Sequence, residues 1–545
     1  MLNKLLADLL FPQVTFTSED MERRYPERGV SDENIITRIG PSPTGFIHLG
    51  NLYNAVIAER LAHQSGGSFY LRIEDTDNKR EVEGAVDIII SAMKYFGIYF
   101  DEGAVMEGDN GQYGPYRQRQ RKEIYQVFAK RLVAAGMAYP CFCREEELEE
   151  IREKQKELKQ NIGYYGEWAV SRKLSYEDIK GRIEKGDSYV LRFKSNPDAK
   201  DTVTAYDAIR GELKFPENIM DFVLLKSDGI PTYHFAHVVD DHLMRTTHVI
   251  RGEEWLPSLP MHIQLFDTLG WKRPVYCHTA TLMKMDGNSK RKLSKRKDPE
   301  LALAYYQEEG YIPEAMWNYL LTILNSNYEE WRAANQDKNH LEFPFTLNKM
   351  SGSGALFDMD KMKDISKEVL SRMTAEDLYS SFLEWAKVWN EDYAKVLMNN
   401  RELALKALAI GRNTAKVRKD LTNWKQTCEF MSMYFDETFK REEELPANIP
   451  ADERAQFLRL YLEQIDFTEE KEEWFNKVKD ITRQMGYATD RKAYKKQPED
   501  YKGSIVELTN LLRVAITGRT NAPDIWEVSS VLGKECVVQR IKTVI

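Results

Sequence analysis

The run from Ile35 to Gln64 constrains this chain more than any other stretch. Ile35-Ile36-Thr37-Arg38-Ile39 reads as a short apolar strand, and Gly40-Pro41-Ser42-Pro43-Thr44-Gly45 as a loop that cannot be regular structure. Asn51 to Gln64 then places Leu52, Val56 and Leu61 on one helical face, and Gly66-Gly67 stops the helix. A second strand follows, with Phe69, Leu71 and Ile73 alternating through Ser68 to Asp75, and then a helix from roughly Glu81 to Phe96. Strand, helix and strand in that order form a parallel pair, which opens a ligand crevice at the carboxyl ends of the strands.

The loop from Gly40 has the glycine spacing of a phosphate cradle, but Phe46-Ile47 stands where such a loop needs Lys and then Ser or Thr. A strand-to-helix junction still offers backbone N–H groups and a positive dipole end to an anion. Gly45 and Gly50 allow close approach, and the His48 imidazole donates a hydrogen bond without a permanent charge. The missing element is a strong cation. Lys290-Arg291-Lys292-Leu293-Ser294-Lys295-Arg296-Lys297 holds six cations in eight residues, directly after an Asp286-Gly287-Asn288 turn signal. By itself such a run reads as a solvated loop, but it closes a second α/β block that reaches from Phe222 to Ile250-Arg251. A mobile loop there can fold over a polyphosphate, with Lys295, 247 residues beyond His48, as the cation.

At 545 residues the chain exceeds a single core. The signals divide it into 1–33, 34–115, 116–219, 220–298, 299–385 and 386–545, the interval 116–219 interrupting the parallel sheet and the text beyond Leu301 turning helical. Toward the end, Leu508, Leu511, Leu512 and Ala515 share a face before Gly518, and Ile525, Val528, Val531 and Leu532 do so before Gly533. Met1 to Phe11 gathers five leucines on a face, but carries Asp8 and is too short to span a bilayer, so it reads as a docking helix. Five cysteines make no disulfide framework, which places the chain in a reducing cytoplasm. A net charge of −9 does not exclude a nucleic-acid partner, because cation clusters govern that affinity. Nothing in the sequence demands a dimer, so a monomer away from membranes is expected.

Glycine loop, acidic strand end and basic run, in this order, resemble class I aminoacyl-tRNA synthetases. His48-Leu49-Gly50-Asn51 matches their HIGH element and Lys292-Leu293-Ser294-Lys295-Arg296 their KMSKS element. Arg38 to Gly45, Leu71-Arg72-Ile73-Glu74-Asp75-Thr76-Asp77, Tyr233-His234-Phe235-Ala236, Val238-Val239-Asp240-Asp241-His242 and Val249 to Trp255 are similar to bacterial glutamyl-tRNA synthetases, and Arg72 to Asp77 favours that family over its glutaminyl relative. The resemblance is strong from Arg38 to about Pro299 and thinner through Leu512 to Arg519. It implies an α/β fold: a class I Rossmann-type nucleotide-binding domain with an inserted acceptor-end domain at 116–219, a stem-contact region at 299–385 and an all-α anticodon-binding domain at 386–545.

It further implies ATP-dependent ligation of L-glutamate to the 3′ end of tRNA(Glu) through a glutamyl-adenylate, with ATP, glutamate and tRNA(Glu) as partners and Mg2+ arriving mainly on the nucleotide. His48 and Lys295 carry the chemistry. Gly50, Asn51, Lys292, Ser294 and Arg296 join them around ATP, with Glu254 and Trp255 on the adenosine side. Arg38 and Arg251 supply guanidinium forks for the substrate carboxylate, Tyr233 a neutral donor, Glu74 a partner for the ammonium and Ser42 one for a carboxylate oxygen.

Two metal readings compete. His234, His237, Asp240, Asp241 and His242 can form a two-metal cage of a phosphohydrolase. Cys141-Phe142-Cys143 is half of a zinc signature that some family members complete with a Tyr and a third Cys; here Tyr164 and Tyr165 are available but Ser171 stands near the expected thiolate. No protein-held metal is expected, zinc included. A shortened relative that glutamylates a modified tRNA base lacks the long helical C-terminus, and a noncatalytic paralogue would have lost His48 or Lys295.

Overall fold

The computed structural model describes residues 2–77, 82–412, 414, 417–466 and 468–545. They form two units: Met1–Tyr305 with Met316–Asp358, and Tyr306–Ala315 with Met359–Ile545.

In the first unit Ile36–Ile39 (β1) is buried at every position, as a central strand covered on both faces must be. It pairs in parallel with Ser68–Leu71 (β2), which pairs in parallel with Glu102–Ala104 (β3); Asp109–Asn110 (β4) closes that edge antiparallel. The expected helix before β3 spans Ala85–Tyr95, while its expected start, Glu81, lies outside the described residues. On the other side of β1 the Thr247 amide donates to the Ile36 carbonyl at 3.0 Å, and the Ile36 amide to Thr247 Oγ1 at 2.8 Å. These bonds set a second sheet edge to edge with the first.

That second sheet shows how the insertion is attached. Thr202–Asp207 (β7) and Gly211–Pro216 (β8) form an antiparallel hairpin, and β7 joins Val275–Thr279 (β11), itself parallel to His248–Gly252 (β10). The order is therefore β10-β11-β7-β8. Phe222–Leu225, expected in the second half of the nucleotide-binding sheet, lies elsewhere: Val223–Leu225 (β9) pairs with Val190–Phe193 (β6), which pairs with Ala138–Cys141 (β5) in an antiparallel sheet of the insertion. Apolar runs announce strands without naming their partners.

The leading helix, Leu2–Leu10 (α1), packs on Lys122–Ala134 (α5), where Lys130 holds Asp8 at 2.9 Å and the Val14 carbonyl at 3.1 Å. Its buried seam is Ala7 and Leu10, with Leu6 partly covered; Leu2 and Leu5 are exposed, so the docking face is narrower than the five leucines suggest.

The second unit is helical. Trp474, Val478, Leu508, Leu511, Leu512, Ala515, Val537 and Ile541 belong to one core. Gly518 ends helix Ile505–Thr517 at φ +79°. Gly533 interrupts the last helix with φ +77°, and a further helical run continues directly to Lys542.

Candidate active site

Where the strand order reverses between β1 and β10, the first unit opens a crevice of about 500 Å³. His48 is the N-cap of helix Leu49–Gln64 (α3), and its backbone amide donates to Asn51 Oδ1 at 3.0 Å. Asn51 thus ties the helix start from the third helical position, which a second imidazole in that place would do less simply. His48, Asn51, Glu254 and Trp255 line the crevice together with Arg38, Ser42, Glu74, Tyr233 and Arg251. Burial pushes the His48 imidazole below its usual value, with Glu254 opposing, so the ring is a neutral donor at physiological pH.

The basic run is partly a strand. Met283–Asp286 (β12) and Ser289–Lys292 (β13) form a hairpin over a two-residue turn in which Gly287 takes φ +59°. Residues 293–298 then close on themselves: the Asp298 amide donates to the Ser294 carbonyl at 3.0 Å, and the Ser294 amide to Asp298 Oδ2 at 2.8 Å. Leu303 N donates to the Ile47 carbonyl at 3.2 Å, which returns the chain to the glycine loop. Lys295 Nζ lies 4.0 Å from the centroid of Phe46, a crevice residue. Gly50, Lys292, Ser294, Lys295 and Arg296 lie outside the lining; Lys292, Lys295 and Arg296 are exposed, and a side chain at Gly50 would press on the His48 ring at 3.0 Å.

The two expected forks differ. Arg38 is already clamped on Asp241, Nε to Oδ1 at 3.2 Å and Nη2 to Oδ2 at 3.1 Å, so little of its guanidinium is left for a ligand. Arg251 donates through Nε to His278 Nε2 at 3.0 Å and through Nη1 to His262 Nδ1 at 3.2 Å and Tyr233 OH at 3.4 Å, while among the described residues its buried Nη2 has no partner. An orphaned guanidinium nitrogen in a crevice is a site awaiting an acceptor. Glu74 is held by Arg72 Nη2 at 3.0 Å, and its own burial pushes its carboxyl up against Arg72 and Arg38. Tyr233 lies against Trp255, ring centroids 4.1 Å apart, and burial raises its phenol, which stays protonated.

The candidate metal cage disperses. On helix Tyr233–Leu243 (α8), His234 turns to His262 at 3.0 Å and His242 to Glu22 at 2.7 Å. Asp240 takes Arg121 at 2.6 Å and Tyr125 at 2.8 Å, and Asp241 takes Arg38, Arg72 and His237. Carboxylates occupied by guanidinium groups are poor metal ligands, and among the described residues no three His, Cys, Asp or Glu side chains gather in metal-binding fashion. In the insertion Cys143 Sγ lies 3.3 Å from Tyr164 OH and 3.6 Å from Ser171 Oγ. Two thiols with a phenol and a hydroxyl do not fit a structural zinc site. The sequence alone gives Phe46, Arg72 and His262 no role; Phe46 stands in the glycine loop and Arg72 in the acidic strand end, while His262 has no local signal.

The family of class I tRNA synthetases for Glu and Gln matches residues 34–364 with its catalytic-domain model, and an anticodon-binding-domain model matches 377–545. A glutamate–tRNA ligase of Acetivibrio thermocellus is 53% identical over 540 residues, covering 99% of both chains. The chain belongs to the glutamate–tRNA ligase family. A relative of the same name from Clostridium perfringens strain 13 is 48% identical, over 98% of this chain and 99% of its own. Among solved structures, a glutamate tRNA ligase from Elizabethkingia meningosepticum in complex with its amino acid superimposes with a TM-score of 0.74 at 29% identity, covering 94% of this chain and 99% of that one. As a family member the chain has the class I α/β catalytic fold and a helical C-terminal region. Among the described residues no helix is long and apolar enough to cross a membrane.

Proposed function

We propose that this chain performs the reaction of its family, ATP-dependent ligation of L-glutamate to the 3′ end of tRNA(Glu) through glutamyl-adenylate, in the crevice between β1 and β10. The observation that carries this reading is the unpaired Arg251 Nη2 in the same crevice that His48 lines and Lys295 approaches.

The substrate's side-chain carboxylate meets Arg251 and Tyr233, with Arg38 as a clamped neighbour; its ammonium meets Glu74, and its α-carboxylate lies toward Ser42. That α-carboxylate attacks the α-phosphorus of ATP and pyrophosphate leaves. Negative charge growing on the phosphate oxygens is met by the His48 ring, the amino end of α3 and the Lys295 ammonium, so catalysis is positioning and charge stabilisation without a covalent protein nucleophile. Mg2+ enters as part of the nucleotide substrate. Glu254 and Trp255 border the adenosine, and Asn51 fixes the helix start beneath the phosphates. Lys292, Ser294 and Arg296 serve the closed state of the basic segment. The terminal ribose hydroxyl of tRNA then attacks the adenylate carbonyl and AMP departs.

Glutamine would leave a buried guanidinium without an anion, a penalty of roughly 3–5 kcal/mol, and aspartate falls short in reach. The insertion takes the acceptor end, residues 299–385 the inner corner of the tRNA and 386–545 the anticodon, so binding weakens with salt. Aminoacylation with purified glutamate and glutamine tRNAs against all twenty amino acids tests the reading. Charging of an amino acid other than glutamate in preference to it overturns the assignment.

A further inference from the structure

Arg251 differs in what holds it from Arg38, the other arginine lining the crevice, and from the buried Arg72. Arg38 and Arg72 rest on carboxylates. Among the described residues none lies in salt-bridge contact with Arg251; an imidazole accepts from its Nε, an imidazole and the Tyr233 hydroxyl from its Nη1, and the Tyr276 ring lies 4.9 Å from its Cζ.

A guanidinium only donates, so each imidazole nitrogen facing it must present a lone pair. His278 Nε2, which accepts from Arg251 Nε at 3.0 Å, therefore carries no proton, and the ring's one proton sits on Nδ1. That nitrogen lies 2.7 Å from Asp207 Oδ2, and the His278 backbone amide donates to the same oxygen at 3.0 Å. Asp207 Oδ1 accepts from the amides of Ile209 at 2.9 Å and Arg210 at 3.0 Å. All four neighbours donate, so this fully buried side chain must be an acceptor on both oxygens. His278 is then locked in the tautomer that Arg251 requires. The arrangement places a carboxylate one ring away from Arg251, near enough to orient it and too far to neutralise it.

We propose that Asp207, the last residue of β7 in the hairpin that joins the insertion to the catalytic sheet, is a positioning residue for glutamate recognition, acting through His278 on Arg251. This rests on the reading of Arg251 as the fork for the substrate's side-chain carboxylate. The unpaired Nη2 gains its direction from the two nitrogens that are held, so a loosened Nε turns the free edge away from the ligand.

The test is a double-mutant cycle in the full-length chain, with KM for glutamate and for ATP and kcat measured in aminoacylation of tRNA(Glu). Asp207→Asn is expected to raise KM for glutamate about 10- to 100-fold, with kcat and KM for ATP within about threefold. In a His278→Gln background the same substitution is expected to add less than about threefold, because its route is gone. A role confined to folding the 207–210 turn predicts the opposite: parallel losses for both substrates, multiplying in the double variant, and that result overturns the proposal. Arg251→Ala separates the two levels. If it leaves KM for glutamate unchanged, the reading of Arg251 fails; if it raises that KM while Asp207→Asn does not, only the inference about Asp207 fails. Should thermal unfolding show Asp207→Asn to be unfolded, His278→Phe keeps a ring and removes both nitrogens. A KM for glutamate raised about tenfold or more there supports the proposal, and an unchanged KM overturns it.

Discussion

The Lys295 ammonium rests 4.0 Å from the centroid of the Phe46 ring, and that ring lies 6.1 Å from the ring of His48. Two segments 247 residues apart in the chain thus meet at the mouth of one crevice. A cation over an exposed aromatic face is stabilised by only about 0.5–1 kcal/mol, whereas a phosphate oxygen offers a charge-assisted hydrogen bond. In the proposed reaction the contact therefore keeps the ammonium within reach of the triphosphate without competing for it. Lys295→Ala is expected to slow adenylate formation about 10²- to 10³-fold in single-turnover measurements. Glutamate affinity should change much less, and equal losses in both would remove Lys295 from the chemistry. Phe46→Leu, which keeps the apolar wall, should cost no more than about fivefold.

Gly40 and Glu74 form a second close relationship. A Cβ at position 40 would stand 2.3 Å from Glu74 Oε1, and Glu74 cannot withdraw easily because Arg72 holds the same oxygen at 3.0 Å. Gly40→Ala should therefore raise KM for glutamate about tenfold or more, as a displaced carboxylate loses the substrate ammonium. The pH dependence carries a definite sign. Burial raises the Glu74 carboxyl, and in the proposed role only its ionised form attracts the substrate ammonium. KM for glutamate should be flat at neutral pH and climb on acidification earlier than a solvent carboxylate would dictate. Glu74→Gln should abolish that limb; an unchanged acid limb in the Gln variant would show that another group titrates.

How much of this was legible depended on the range of the interaction. The β1 strand, the glycine loop and α3 were readable because hydrophobic period and glycine placement are local. The parallel sheet followed from the crossover rule, but membership did not: Val223–Leu225 and Thr202–Pro216 exchange the sheets that chain order suggested, since partner choice is decided by packing. At the candidate site, His48 and Lys295 are proposed from motifs, while the difference between Arg38 and Arg251 has no motif. It depends on Asp241, 203 residues from Arg38, and on His278, 27 residues from Arg251. The five His and Asp residues from His234 to His242 show the same limit. Helical spacing pairs His237 with Asp241 and sends His234 and His242 to His262 and Glu22, partners that proximity in sequence does not show.

Asp241 holds the buried side of the crevice together. Its carboxylate accepts from Arg38, from Arg72 Nη1 at 2.6 Å and from His237 Nδ1 at 2.7 Å, all three side chains being buried. Asp241→Asn leaves the buried Arg38 without its carboxylate and removes one of those around Arg72, and should destabilise the fold by roughly 3–5 kcal/mol in urea unfolding. The neighbouring guanidinium groups hold the Asp241 carboxyl well below its usual value in the folded chain. A depressed folded-state value stabilises fully above the unfolded value near 4 and is lost as pH falls toward the folded one, so the difference from the parent should be constant from about pH 5 to 8 and narrow below about 4. A difference under about 1 kcal/mol at neutral pH would mean that the network relaxes around the amide.

Asp298 plays the corresponding part for the basic segment. Its buried carboxylate grips Arg291 Nη1 at 2.6 Å and Nη2 at 2.8 Å, accepts the Ser294 amide at 2.8 Å and lies 3.6 Å from Lys284 Nζ. Arg291 holds the carboxyl below the usual range, so it is ionised throughout neutral pH. Because Ser294 immediately precedes Lys295, this clasp fixes the stem from which the ammonium extends. Asp298→Ala should release the stem, slow adenylate formation about tenfold through lost positioning, and leave glutamate affinity unchanged. Asp298→Asn keeps an acceptor for the Ser294 amide and should fall between the two. The exposed Lys295 and Arg296 offer an independent readout in limited trypsin cleavage. The Ala variant should be cut faster than the parent, and ATP should slow cutting in the parent more than in the variant. If Asp298→Ala is cut no faster and forms adenylate at the parental rate, the β12–β13 hairpin alone positions Lys295.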